Sequence, residues 1–120
     1  MQRKIEIDKL EEFFREFNLN NISRPTRLEV FDEMGAQTEE HGLPLKGVDI
    51  EVKGDESPRI EIMLGGQSPG QTHLTHRITG VKRVYIKIGH NSRDEVLEIE
   101  SKEGTKTLLH FETMEEITAA

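Results

Sequence analysis

The sequence predicts an α+β fold: one N-terminal helix packed on a strongly curved antiparallel β-sheet or small barrel of six to eight strands. Three observations carry this. A single apolar stripe at helical spacing occurs, near the start of the chain. From about residue 26 onward, apolar and polar residues alternate in short runs. Turn-forming residues separate those runs closely, which suits antiparallel neighbours and leaves no room for crossover helices.

The helix falls in DKLEEFFREFN, about residues 8–18. Leu10, Phe13, Phe14 and Phe17 stand at i, i+3, i+4 and i+7, one face of a helix. Asp8 is placed to cap it, and Glu11 three residues later completes a capping-box pattern. Three of the five phenylalanines lie on this face. Such a stripe either closes the protein's own core or fills a partner's groove, and the core is the expectation here. NLNNISRP, Asn18 to Pro25, is rich in turn formers and is expected to end the helix.

The strands follow, over about residues 26–112. RLEVFD sets Leu28 and Val30 on one face. KGVDIEVK turns Val48, Ile50 and Val52 inward, and RIEIML answers with Ile60, Ile62 and Leu64 across a GDES turn. This is a hairpin with one wet face. GGQSPGQ is expected to be a mobile loop. THLTHRIT and KRVYIKI are expected to pair around Thr79-Gly80. Leu97 and Ile99 face in from EVLEIES, and Leu109 and Phe111 from TKTLLHF. A three-residue turn with Gly104 in the left-handed conformation joins these two. That register places Glu100 opposite Lys106. The tail, 113–120, is expected to be frayed or weakly helical. The expected core comprises Phe13, Phe17, Val48, Ile50, Ile62, Val84, Ile86, Leu97, Ile99 and Leu109.

A chain of 120 residues suits one domain, 1–120, with one modest core. No apolar run approaches the roughly 18 residues of a membrane span, and the first residues lack a signal-peptide core. There is no cysteine, so disulfides and thiolate chemistry are excluded. A cytoplasmic setting without membrane association is expected.

The net charge is −7, which disfavours non-specific binding to nucleic acid. The charge is unevenly spread. Ile62 to Arg93 holds five bases and no acid, leaving eleven bases against twenty-three acids elsewhere. Neighbouring basic and acidic strands would produce this, as would an anion-facing or self-docking surface.

HLTH offers His73 and His76, three apart. On a helix they could share a metal. In this β-branched segment they point to opposite faces, His73 outward and His76 between Leu74 and Ile78. They are weak metal candidates, and the expectation is that there is no metal site. No nucleophile elbow, phosphate loop or dinucleotide fingerprint occurs, so no enzyme activity and no cofactor are expected. Arg83, Tyr85 and Lys87 alternate on one strand face, with Arg77 near in sequence. A basic stripe with an aromatic is what single-strand binders use.

The residues GAQTEEHGLPLKGVDIEV, IEIMLGG, THLTHRI and EVLEIESKEGTKTLLHFE resemble an uncharacterised family of small bacterial proteins catalogued as a domain of unknown function. The most specific parts are LPLKG (Leu43 to Gly47), LTH (Leu74 to His76) and LEIES with the following GTKTLL. The resemblance runs from Phe13-Phe14 to Phe111. It implies the domain extent and a bacterial cytoplasmic setting, and brings no activity, cofactor or site residue. The function therefore reads as unknown, with a small non-catalytic binding or scaffold module expected. Its partner would be another protein or a second copy of itself. The alternative is anion or single-stranded nucleic-acid binding through Arg77, Arg83, Tyr85 and Lys87.

Overall fold

A computed structural model describes residues 1–66 and 72–113, apart from the side chains of residues 39 and 40. The expected loop at 67–71 and the expected tail at 114–120 lie outside the described residues. The chain runs β1 (Gln2–Ile5), a 3-10 turn (Ile7–Lys9), α1 (Leu10–Asn21), β2 (Pro25–Asp32), β3 (Gly35–Glu51) and β4 (Arg59–Gly65), then β5 (His73–Ile78), β6 (Val81–Ile88), β7 (Asp94–Ser101) and β8 (Lys106–Phe111). All eight strands belong to one antiparallel sheet in the order β1-β6-β7-β8-β2-β3-β4-β5.

The expected α+β class and antiparallel sheet are present, but the barrel is not closed. Among the described residues, β1 pairs only with β6 and β5 only with β4, so both are edges of the sheet. Closure fails because β5 and β6 do not form the expected hairpin. The chain passes from one end of the strand order to near the other across Thr79-Gly80. Three backbone bonds from other turns hold this crossing: Gly80 N–H to Glu56 O, Val81 N–H to Pro58 O, and Lys102 N–H to Gly80 O. Tight turns favour hairpins, but β6 finds better partners in β1 and β7.

The two halves of the sheet share β3. Its first part pairs with β2 and its second with β4, with a register shift between Leu45 and Gly47. That shift is where LPLKG lies. Past Pro44 the β2 ladder has ended, so that side of β3 needs other partners, and here the helix supplies one. Asn18 Nδ2 donates to Val48 O at 2.9 Å, and Asn18 Oδ1 accepts from Val48 N–H at 2.8 Å.

This tie explains a difference from expectation at the end of the helix. The NLNN run continues α1 to Asn21, because its asparagines bond to tertiary partners as well as to local backbone. Asn21 is buried, donating through Nδ2 to Phe17 O at 2.9 Å and to Asp94 Oδ2 at 2.7 Å. At the other end, neither Asp8 nor any other side chain caps a helix start. A 3-10 turn occupies residues 7–9, and Lys9 holds the N-cap position of α1. β1 lies outside the expected strand region, since its four residues hold one apolar side chain and give no strand pattern of their own.

Leu10, Phe14 and Phe17 bury against the sheet, with Phe13 half-buried at the rim. Phe14 and Phe17 meet edge to face at 5.8 Å, and Phe17 packs on Phe111 at 5.7 Å. Val48, Ile62, Val84, Ile86, Leu97, Ile99 and Leu109 are buried as expected. Ile50 is only half-buried. Val52, expected inward, is exposed because β3 ends at Glu51 and Val52 enters the turn. The β7–β8 register holds: Leu97 faces Leu109 and Glu100 faces Lys106, with Gly104 at φ +96°.

Candidate functional site

The expected basic stripe is on the wet face of β6, but the sheet already answers it with acid. Arg83 lies 3.3 Å from Glu100 and Lys87 3.3 Å from Glu95, both on β7. Arg77 is on β5 and lies 3.0 Å from Glu61 on β4. It therefore sits with the other half of the strand order. The acid-free segment in the sequence has become a set of cross-strand ion pairs. Tyr85 stands opposite Glu98 and Lys4. The four residues are not gathered into one patch.

β5 alternates as expected, with His73 exposed and His76 half-buried. Among the described residues, no group of three histidine, aspartate or glutamate side chains is placed to hold a metal ion.

A recess lies elsewhere, at one end of the β7-β8-β2-β3 region. Its volume is about 660 Å³, within the range of small-molecule sites. Four parts of the chain build it. Arg24 and Arg27 enter from the start of β2, and His41 from the adjoining stretch of β3. Asn91, Arg93 and Asp94 come from the β6–β7 turn. His110, Phe111 and Glu112 come from the end of β8.

The walls are fixed by a polar network. Arg24 Nη1 donates to Asn21 Oδ1 and to Asp94 O, each at 2.8 Å. Its guanidinium carbon stands 4.2 Å from the centre of the Phe111 ring, a stacked cation–π arrangement. The other side of that ring region touches Phe17, so the helix core and the recess share one aromatic. Glu112 is buried, and both its oxygens are engaged. Oε2 lies 2.7 Å from His41 Nε2, and Oε1 accepts from Gly42 N–H at 3.1 Å.

Two groups here have shifted ionisation. Burial lowers the Arg24 pKa, the charge of Arg93 lowers it further, and Asp94 opposes both. Burial, seconded by Arg27, holds the His110 imidazole below its ordinary range. Glu29, with Oε1 2.6 Å from His110 Nε2, pulls the other way and is outweighed. That contact lacks the angles of a well-formed hydrogen bond.

No sequence spacing links these residues. Arg24, Arg27, Arg93, His41 and His110 are spread over 87 positions, and only strand pairing brings them together. Arg27 faces both His41 and His110 across the sheet. The sequence signal was a faint one: Arg24 and Arg27 bracket the start of a strand, and EVL begins one residue after Arg93-Asp94.

A family model for a family of unknown function, DUF5335, matches residues 1–119. The chain belongs to that family. No curated protein and no solved structure matches it. The expectation drawn from LPLKG, LTH and LEIES is met in kind, and the match covers the recess and both halves of the sheet. Among the described residues, no helix is long and apolar enough to cross a membrane.

Proposed function

We propose that this chain is a cytoplasmic, non-catalytic binding module whose ligand site is the recess between the start of β2 and the end of β8. The observation that carries this reading is a concave site of about 660 Å³ whose walls are held by buried, bonded polar side chains. Asn21 and Glu112 are both buried and both tied to neighbouring elements. Such preorganisation holds recognition groups in place before a ligand arrives. The β6 stripe, by contrast, spends its cations on glutamates of the next strand.

The non-catalytic part of the reading rests on the lining. Its acids are already paired, Glu112 with His41 and the Gly42 amide and Asp94 with Asn21. Two open edges, β1 and β5, leave a route to self-association by strand pairing.

Thermal unfolding at low salt tests the reading, with a panel of small acids, bases, neutral metabolites and oligonucleotides. A ligand of the native state alone adds about 2.7 kcal/mol of stability at a hundredfold excess over its Kd. The expected shift comes from a small molecule and is unchanged in the Arg83→Gln, Lys87→Gln double variant. A shift that disappears in that variant, or turnover of the compound, contradicts the reading.

A further inference from the structure

The acids and bases around the recess are unequally committed. Glu112 is held by His41 and the Gly42 amide. Asp94 accepts from Asn21. Glu95 pairs outward with Lys87. Glu29 is shared between His110 at 2.6 Å and Arg27 at 3.5 Å. Each nearby carboxylate therefore already has a donor or a cation.

The guanidiniums are less satisfied. Arg93 is exposed, and its side chain forms no ion pair among the described residues. Arg27 has only the long contact to Glu29. The bonds described for Arg24 use Nη1 alone, leaving the rest of its planar fork over Phe111. Arg24 and Arg93 are close enough to repel, and burial already penalises the Arg24 charge. An anion placed among them would relieve that repulsion.

The kind of anion follows from geometry. A carboxylate has two oxygens and is satisfied by one guanidinium fork. Here three arginines line one recess, from the lead into β2, the body of β2 and the β6–β7 turn. A phosphate monoester offers three oxygens and a charge near −2, which suits a recess lined by several arginines. The recess is larger than a phosphate group needs, and Val96 and the Phe111 edge give it an apolar flank.

We infer that the recess binds the phosphate group of a small phosphomonoester, held by Arg24, Arg27 and Arg93. This rests on the recess being the ligand site, and it adds the ligand's chemistry.

The test is calorimetric titration of the full chain at low ionic strength with glycerol 1-phosphate, inorganic phosphate, glycerol, acetate and citrate. The two phosphates are expected to bind one per chain, with glycerol and acetate silent and citrate weaker. Arg93 is exposed and its fold contacts are made by its backbone, so Arg93→Gln should fold normally. It should weaken glycerol 1-phosphate by roughly ten- to a hundredfold, the value of a charge-assisted hydrogen bond. Arg93→Lys should fall between, keeping charge and losing the fork. Arg83→Gln with Lys87→Gln should stay within about twofold of the parent. Phosphates that do not bind, citrate or acetate that binds as tightly, or an Arg93→Gln variant that binds like the parent would overturn the inference. If phosphates are silent while another compound binds through the recess, the inference falls and the binding-site reading stands.

Discussion

Single side chains decide where the helix meets the sheet. Asn18 completes two backbone hydrogen bonds at the β3 bulge. Replacing it with Ala strands the Val48 N–H and C=O, and is expected to cost about 1–3 kcal/mol. Urea unfolding measures this, and a cost under about 0.5 kcal/mol would contradict the assigned role. His110 gives a pH signature. Burial and Arg27 hold its imidazole below its ordinary range, with Glu29 and Glu112 opposing. The unfolded chain takes the proton more readily, near pH 6.5. Stability tied to this residue is therefore present above that pH and is lost as pH falls through the lower folded value. His110→Gln should flatten the fall in stability below about pH 6.5, and equal slopes would contradict it. Sequence reading could not reach either residue. In NLNN it weighed only local turn chemistry, and His110 in KTLLHF carries no spacing partner.

Elements were legible where burial has a period. Val48, Ile60, Ile62, Leu97, Ile99 and Leu109 alternate inward as their sequence runs require, and the β7–β8 register follows from its turn. Pairing between elements was less legible. Thr79-Gly80 has turn chemistry but joins two strands that do not pair, because that outcome depends on contacts with the β3–β4 and β7–β8 turns. β7 also holds a testable carboxyl pair. Burial raises the Glu98 pKa, and its hydrogen bond with Glu100 adds to this, while that same bond leads the lowering of Glu100. A raised folded pKa means stability present below the unfolded value, about 4.3, and lost as pH rises through the folded one. Glu98→Gln should therefore raise the thermal midpoint at pH 7 relative to the parent, with the gain shrinking towards pH 4. A lower midpoint at pH 7 would show that the ionised Glu98 is the favoured form.

At the scale of the molecule, the fold class and the helix-on-sheet core were readable because they depend on pattern. The open sheet and the recess were not. The recess exists because β3 bends from one half of the sheet to the other, and because β8 brings His110 and Glu112 beside residues some 70 to 85 positions earlier. The uneven charge of the sequence resolves into ion pairs along β6 and β7. Arg93, from the same acid-free segment, stands instead at the recess at the end of the sheet. The most direct measurement is a 1H–15N titration of the full chain with glycerol 1-phosphate, following every backbone amide. The expected result is saturable shifts confined to residues 24–27, 41–42, 91–96 and 110–113. Shifts centred instead on Arg77, Arg83, Tyr85 and Lys87 would place the ligand on the strand face and contradict the assignment of the site.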